Sequence, residues 1–193
     1  MIPAPTLVPF ASCDDPGWAE AMTIYRNAFP AKERWHEERY AEALADPLFE
    51  ADAIRLGDRM AGLLFHWQAG PFRYVEHLAV DPALRGQQIG SRALEALGER
   101  FGRLVLEIDP PEDEISVRRL HFYERSGFAA NPWHYLHPSY RRPFEPHRLV
   151  LLSRPAPLEN DEARAFADFI REHVLLYSDH ERPEMPRIEM PAH

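Results

Sequence analysis

The spacing of apolar residues alternates between two periods along this chain, and each period predicts one type of element. A helical period covers residues 18–29, 35–45, 89–101, 114–126 and 160–176. Alternating or continuous apolar runs predict strands over residues 53–56, 60–67, 72–80, 104–108 and 147–152, with another strand from Phe128. Pro30 and Pro47 end the first two helices, and the Gly57–Asp58 pair predicts a hairpin. The mixed order predicts an α/β (α+β) domain with a strand–helix–strand–helix–strand unit at its centre.

Length and cysteine usage limit the class of protein. The 193 residues, 45% of them apolar, suffice for a compact core without disulfides. The single cysteine, Cys13, excludes an internal disulfide and indicates a reducing compartment. No apolar run approaches the roughly 20 residues that span a bilayer, and the first residues lack the features of a signal peptide. We therefore expect a cytoplasmic protein in which residues 1–155 form the main domain. Residues 156–193 are expected to add a C-terminal helix and a flexible tail packed on the same domain.

The charge balance separates classes of partner. The formal net charge is −9 at pH 7. An acidic surface does not neutralise phosphates over a wide area, which argues against nucleic-acid and anionic-membrane partners. A cationic small molecule fits this charge better, although an acidic surface also serves solubility alone.

The segment VDPALRGQQIGSRALEAL, residues 80–97, predicts an anion site where a strand passes into a helix. Successive backbone N–H groups from Gly86 to Ser91, with the positive end of the helix, suit a bound phosphate. A P-loop requires lysine after Gly90, where Ser91 stands, and the dinucleotide fingerprint requires a different glycine spacing. Because a positive φ is costly for a side chain such as that of Gln88, we predict a helical conformation there.

The same loop, RGQQIG, resembles the pyrophosphate loop R/Q-x-x-G-x-G/A of the GCN5-related N-acetyltransferase (GNAT) superfamily. Arg85 stands first and Gly90 last, and Gln88 replaces the middle glycine. The segments YVEHLAVDPALRGQQIGSRALEAL, RRLHFYERSGF and FPAKERW are similar to further parts of that family, so the resemblance covers about residues 18–153. It implies the GNAT fold, a mixed and mostly antiparallel sheet of six to seven strands. The sheet would be splayed between strands 4 and 5 and flanked by helices.

The resemblance also implies a cofactor, acetyl-CoA, in a cleft between residues 75–80 and 104–108. Backbone groups there would pair with the pantetheine arm as an added strand does. The expected cofactor-binding residues are Leu78, Ala79, Val80, Arg85, Gly86, Gln87, Gln88, Ile89, Gly90, Ser91, Ser116 and Phe122. Ser116 stands where the family often has asparagine, so a shorter hydroxyl would have to make that contact.

Acetyl transfer to an amine needs a proton acceptor for the amine and a proton donor for the leaving thiolate. Tyr123 is the candidate acid, because it shares a helix face with Ser116 and Leu120 and stands where the family often carries a tyrosine. Glu76 is the candidate base, because it shares a strand face with Leu78 unless a bulge changes the alternation. A packing role for Tyr123 and a plain strand-end role for Glu76 are the alternatives.

Further residues are candidates for binding the acceptor. These are Glu33, Trp35, Glu107, Tyr135 and Tyr140. Capping of the second helix is the alternative role of Glu33 and Trp35, and packing in a loop is that of Tyr135 and Tyr140. Glu107 and His77 are also weaker alternatives to Glu76 as the base. The spacing of His134 and His137 raises a metal hypothesis, but no cysteine or aspartate cluster supports it, and no metal is expected.

The sequence therefore predicts an acetyl-CoA-dependent N-acetyltransferase acting on a primary amine, which we expect to be a small molecule. A protein N-terminus or a lysine remains an alternative acceptor. A non-catalytic acyl-CoA sensor and an interaction protein that forms a homodimer through residues 160–176 are the rival classes.

Overall fold

The computed structural model describes residues 4–179 and 187–189. The chain folds into two compact units. The N-terminal unit comprises Met1–Pro30 and Glu38–Leu104, and the C-terminal unit comprises Ala31–Glu37 and Val105–His193. The short segment Ala31–Glu37 thus belongs to a different unit from the residues on either side of it.

The N-terminal unit is an antiparallel sheet covered by helices. Its strands follow one another in space as β1 (Thr6–Pro9), β2 (Phe49–Leu56), β3 (Arg59–Ala69) and β4 (Phe72–Val80). Its helices are α1 (Trp18–Ala28), α2 (Tyr40–Leu44) and α3 (Ile89–Phe101). The pairing of β2, β3 and β4 through short turns needs only local contacts, which is why these three strands were predictable from alternation. β1 pairs with β2 across about 40 intervening residues and was not predicted.

Side chains of β3 build the core of this unit on both faces of the sheet. The Phe65 ring packs against Trp18 at 6.0 Å and against Tyr40 at 5.7 Å between centroids, so this face holds an aromatic cluster with α1 and α2. The next residue, His66, packs on Phe101 of α3 at 5.9 Å. Alternate residues of one strand therefore anchor different helices, as the two-residue period of a strand requires.

A bulge interrupts the pairing of β3 with β4. His77 pairs with Phe65 and Val75 pairs with His66, so Glu76 is an extra residue between two regular pairs. Bulges of this kind re-aim side chains, and they recur near functional sites.

The C-terminal unit contains the remaining strands and helices. Its strands are β5 (Leu104–Ile108, of which Leu104 is counted in the N-terminal unit), β6 (Ala129–Ala130), β7 (His134–Pro138), β8 (Pro146–Arg154) and β9 (Arg187–Glu189). Its helices are α4 (Glu114–Arg125) and α5 (Asn160–Glu172). The spatial order is β5, β8, β7, β9, with β6 paired to the end of β8. The β6–β8, β7–β8 and β7–β9 pairs are all antiparallel.

These elements confirm the predicted fold class of mixed α and β elements with mostly antiparallel strands, flanking helices and a C-terminal helix. The bounds of β4, α3 and β5 are those predicted. The described residues form nine strands, whereas six to seven were expected. The two additional strands are β6 and β9, which are very short. The splay between β4 and β5 and the boundary near residue 155 stay predictions. No helix among the described residues is long and apolar enough to cross a membrane.

The helix predicted over residues 35–45 is shorter than expected. Only Tyr40–Leu44 are α-helical. The Arg141 side chain takes the carbonyl oxygens of Arg34 and Trp35 at 2.9 and 2.8 Å, so these acceptors serve a tertiary contact instead of a helix. Of the tail predicted to be flexible, residues 180–186 and 190–193 lie outside the described residues, and Arg187–Glu189 form β9.

Candidate functional site

The loop before α3 leads the chain into a helix with its first-turn N–H groups available. Asp81 accepts from the Ala83 N–H at 2.9 Å and starts a short turn of 3-10 helix over Pro82–Leu84. The first helical bond runs from the Arg92 N–H to the Gln88 carbonyl at 3.0 Å. The N–H groups of the preceding turn have no acceptor within the helix, which is the arrangement that binds anions.

Gln88 corrects the sequence prediction for this loop. Its φ is +58°, a left-handed conformation, whereas a negative φ was predicted. A side chain in this region costs roughly 1–2 kcal/mol relative to right-handed backbone. The pyrophosphate-loop motif of the GNAT superfamily has glycine at this position. Because glycine adopts a positive φ readily, that glycine indicated the observed conformation.

The surroundings of the loop leave room for a ligand. Gly86 has a φ of +79°, and a Cβ built there would meet no atom within 4 Å. Gln88 is exposed, whereas Ile89 and Gly90 are buried and anchor the helix start in the core. An anion bound at these N–H groups therefore meets open space on the loop side, so these residues fit a phosphate.

The backbone of β4 is held close to β3 next to this loop. A Cβ on Gly62 would lie 2.2 Å from the Ala79 carbonyl oxygen, so the two strands approach at a distance that only glycine permits. Ala79 is buried, and its neighbours Leu78 and Val80 are half-buried. The close packing against β3 thus fixes the position of β4, which carries the candidate cofactor residues 78–80.

Glu76 lies at the bulge with a buried carboxylate. Its Oε2 accepts a hydrogen bond from Trp67 Nε1 at 2.7 Å, and only 2% of the side chain is exposed. Its Oε1 lies 3.8 Å from His77 Nδ1, an approach that regular strand alternation would prevent. The His77 ring in turn lies 3.3 Å from the Tyr25 hydroxyl, and Tyr40 donates to that hydroxyl at 2.6 Å. A buried polar chain therefore leads from Glu76 toward α1 and α2.

The start of α4 gives Ser116 a role other than the expected cofactor contact. Asp113 accepts from the Ser116 N–H at 2.7 Å, and the Ser116 hydroxyl accepts from the N–H groups of Asp113 and Glu112 at 3.0 and 3.1 Å. These bonds form a capping box. The Ser116 hydroxyl therefore caps the N-terminus of α4. The three-residue spacing of Asp113 and Ser116 was the sequence feature that indicated this cap.

Tyr123 lies near the end of α4 in aromatic surroundings. Its ring packs on Phe122 at 4.9 Å and on Phe128 at 5.7 Å between centroids. Although the residue as a whole is half-buried, burial raises the pKa of its hydroxyl to about 12, while the charge of Arg119 acts in the opposite direction. The hydroxyl therefore keeps its proton at neutral pH.

A polar cluster of which sequence reasoning named only Glu33 lies in the same unit. Asp109, directly after β5, accepts from Arg119 and lies 3.2 Å from His147 Nε2. The hydrogen bond with His147 lowers the pKa of Asp109, and the same bond raises the pKa of His147. Burial raises the pKa of Glu33, with the charge of Asp109 adding to the effect. No sequence spacing links these four residues, which come together only through the fold.

The other candidate acceptor residues differ in how far they are buried, and their role in acceptor binding stays a prediction. Trp35, Tyr135 and Tyr140 are 1%, 0% and 5% exposed, so all three pack in the interior. Glu107 is half-buried on β5, two residues before Asp109.

One histidine of the pair that raised the metal hypothesis, His137, has a hydrogen-bond partner in the backbone. His137 is buried, and its Nδ1 lies 2.6 Å from the Pro138 carbonyl oxygen. Among the described residues, a different trio has potential ligand atoms within 4.8 Å of one another, namely Glu50, Asp52 and His66. Asp52 and His66 bond to each other at 2.9 Å, and Glu50 bonds to Arg73. Each member of the trio therefore already has a hydrogen-bond partner within the protein.

Comparison with known proteins extends these observations. Residues 50–130 match the family model of the acetyltransferase (GNAT) domain. A GNAT-family protein from Bacteroides thetaiotaomicron is 27% identical over 88% of this chain and 98% of its own, with a TM-score of 0.80. No curated protein matches this chain.

Two more distant structures share the fold. The ribosomal-protein-S18-alanine N-acetyltransferase of Escherichia coli is 17% identical, covering 81% of this chain and 97% of its own, with a TM-score of 0.54. A GNAT-family acetyltransferase from Elizabethkingia anophelis, crystallised with acetyl-CoA, is 15% identical, covering 78% and 97%, with a TM-score of 0.53.

Proposed function

Because the chain carries an acetyltransferase domain of the GNAT superfamily, we propose that it transfers the acetyl group of acetyl-CoA to the nitrogen of a primary amine. The proposed acceptor is a small molecule, and attack occurs directly in a complex with both substrates. The observation that carries the proposal is the start of α3, where the first-turn N–H groups and the open side of Gly86 offer a phosphate site. The negative net charge of −9 supports a cationic acceptor.

The proposed cofactor residues form two groups in the N-terminal unit. Residues 85–91 would hold the pyrophosphate at the start of α3, and residues 78–80 would pair with the pantetheine arm. When bound, acetyl-CoA supplies an activated acetyl thioester whose sulfur leaves as a thiolate. The single free cysteine, Cys13, supports a reducing compartment, and we propose the cytoplasm.

Tyr123 is the proposed acid. With the pKa of its hydroxyl raised to about 12, it stays protonated at neutral pH and can donate to the leaving sulfur. The Tyr123 ring packs on Phe122 and Phe128, which restricts the movement of the side chain.

Glu76 is the proposed base, acting on the attacking amine through a water molecule. The Trp67 N–H holds its carboxylate at 2.7 Å, so the group is oriented before substrate binds. We expect Glu76→Gln to lower kcat/KM most at low pH, where the amine is most protonated. An unchanged pH profile would contradict the role of Glu76.

The transfer itself is testable by incubating the protein with acetyl-CoA and a panel of primary amines. The panel should contain diamines, aromatic alkylamines and peptides with free N-termini or lysines. We expect thiol release and a mass increase of one acetyl group on a small amine. Binding of acetyl-CoA without transfer to any amine would favour an acyl-CoA sensor, and transfer to peptides alone would replace the small-molecule acceptor.

A further inference from the structure

The bulge of β4 places two titratable side chains next to each other in the interior of the N-terminal unit. The side chains of Glu76 and His77 are 2% and 6% exposed. Trp67 Nε1 donates to Glu76 Oε2 at 2.7 Å, and His77 Nδ1 lies 3.8 Å from Glu76 Oε1. A carboxylate removed from water is costly unless donors and charges compensate for the lost hydration. Trp67 supplies a donor to one oxygen, and His77 is a side chain beside the other.

The His77 ring is held between aromatic side chains. It meets the rings of Tyr25 and Phe29 edge-on, with centroids 4.9 and 4.5 Å away and interplanar angles of 88° and 76°. The Phe65 ring of β3 lies 6.3 Å away. Close packing of this kind leaves an imidazole little room to turn, so the packing keeps Nδ1 on the side of Glu76.

Hydroxyl groups of α1 and α2 determine which nitrogen of this ring carries the hydrogen. Tyr40 of α2 donates to the Tyr25 hydroxyl oxygen at 2.6 Å. The Tyr25 hydroxyl of α1 lies 3.3 Å from His77 Nε2 and 3.5 Å from Nδ1, so Nε2 is the nearer acceptor for its hydrogen. When Nε2 accepts, the neutral imidazole carries its own hydrogen on Nδ1, beside Glu76. The hydrogens of Tyr40, Tyr25 and His77 are then all directed toward the carboxylate.

We propose that His77 is a positioning residue for Glu76, an inference that rests on the proposed function, in which Glu76 is the base. Its Nδ1 hydrogen stabilises the ionised carboxylate and holds it in the orientation that Trp67 sets. The separation of 3.8 Å exceeds that of a hydrogen bond, so the N–H dipole acts on the carboxylate charge through space, and the low dielectric of the interior strengthens this attraction. The amine proton still goes to Glu76, and His77 exchanges no proton with the substrate.

The groups that pack against this pair come from α1, α2 and β3. The titratable ones are Tyr25 and, through it, Tyr40, and β3 contributes the Trp67 N–H and the Phe65 ring. A donor directed at the charged form of a carboxyl favours its ionisation. The hydrogens of Trp67 and His77 therefore act on Glu76 in the same direction.

Two variants of His77 separate positioning from packing. Both His77→Asn and His77→Gln replace the ring by a smaller amide, so a packing role predicts similar effects of the two. An asparagine amide reaches the place of Nδ1, next to Glu76, whereas a glutamine amide reaches the place of Nε2, next to Tyr25. The positioning role predicts that His77→Asn keeps the effect on Glu76 and that His77→Gln loses it.

The first test follows the Trp67 indole N–H by NMR during a pH titration without acetyl-CoA or amine. Because this N–H bonds to Glu76, its chemical shift reports the ionisation of the carboxylate. Trp67→Phe identifies the signal, Glu76→Gln should abolish its titration, and the other three tryptophans are internal references. We expect the midpoint to rise by about one pH unit in His77→Gln, a tenfold change in the ionisation equilibrium, and to stay at the wild-type value in His77→Asn. Equal midpoints in all three proteins, or equal shifts in both variants, would overturn the proposal.

Tyr25→Phe tests the same chain with the ring packing intact, and so applies even where a variant of His77 does not fold. It removes the hydroxyl that directs the His77 hydrogen to Nδ1. We expect the midpoint of the Trp67 signal to rise, by less than in His77→Gln. An unchanged midpoint would contradict the action of the tyrosine chain on Glu76.

The pH profile of kcat/KM distinguishes this inference from the proposed function. We expect the acid limb to move to higher pH in His77→Gln and to keep its place in His77→Asn, because a less stabilised carboxylate is protonated at higher pH. Acetyl transfer by the wild type with an unchanged acid limb in His77→Gln would reject His77 alone. Absence of transfer to every amine, with the Trp67 titration as expected, would reject the proposed function and leave the contact between His77 and Glu76 standing.

Discussion

Among single residues, Tyr123 bears most directly on the proposed chemistry. The raised pKa of its hydroxyl, about 12, follows from burial between aromatic rings. A phenol in these surroundings keeps its proton through the physiological range, so it is available as a proton donor.

Tyr123→Phe removes this proton and little volume. We expect kcat to fall by about 100-fold or more, in the range of general acid catalysis, with the Kd for acetyl-CoA unchanged. Steady-state kinetics and calorimetry measure the two quantities. Tyr177→Phe, at another buried tyrosine of the same unit, serves as the control and should behave as wild type. Equal kcat values for Tyr123→Phe and wild type would leave Tyr123 a packing residue.

Gln88 tests the backbone of the proposed phosphate loop. Because its φ is +58°, we expect Gln88→Gly to raise the free energy of unfolding by about 0.5–1 kcal/mol, the relief of left-handed strain less the added freedom of the unfolded chain. Urea unfolding measures this change. Gln88→Ala keeps the Cβ and should give no gain, so a gain of equal size in both variants would contradict the strain argument.

The negative φ predicted for Gln88 was wrong because φ at this position depends on how the loop joins the helix. An isolated L-residue favours negative φ, and only the geometry of residues 85–88 overrides that preference. The Asp109–His147 contact was equally beyond sequence reasoning, since 38 residues separate the two and neither stands in a motif.

At the scale of elements, the close approach of β3 and β4 determines where the proposed cofactor strand lies. The Cβ of an alanine at position 62 would lie 2.2 Å from the Ala79 carbonyl oxygen. Because that oxygen belongs to the backbone, the strand itself would have to move.

Gly62→Ala is therefore expected to lower the free energy of unfolding by about 1–3 kcal/mol, as overpacking does, and to weaken acetyl-CoA binding. Thermal unfolding and calorimetric titration measure the two effects. Gly70→Ala is the control: with a φ of +62° and no atom within 4 Å it adds strain at a turn without displacing β4. It should cost stability but leave binding intact. Tight acetyl-CoA binding by Gly62→Ala would contradict the placement of the cofactor along β4.

Elements with a strong period were predictable, and those held by tertiary contacts were not. Alternation in residues 72–80 and helical spacing in residues 89–101 located β4 and α3. β1, β7 and β9 were missed because they are short and lie beside prolines, where local signals favour loops. The helix expected from residue 35 fails because Arg141 takes the carbonyl groups it would need.

For the whole molecule, the Asp109–His147 pair predicts how stability depends on pH. The pKa of Asp109 is lowered below 3.8 on folding, so its contribution is full above 3.8 and is lost as the pH falls through the folded value. The pKa of His147 is raised above 6.5, so its contribution is full below 6.5 and is lost as the pH rises through the folded value.

The two effects together define a window between pH 3.8 and 6.5 in which the pair stabilises the fold most. We expect the difference in free energy of unfolding between wild type and Asp109→Asn to be largest there and to shrink on both sides. Denaturant unfolding across the pH range measures it. A difference that is constant with pH would show that the pair does not persist in solution.

The central claim is that this molecule binds acetyl-CoA through residues 85–91 and uses it for transfer. Calorimetric titration of acetyl-CoA into the purified protein, with ATP and NAD as controls, tests it most directly. The account predicts micromolar binding of acetyl-CoA that neither ATP nor NAD reproduces. No binding of acetyl-CoA, or equal binding of all three nucleotides, would contradict it.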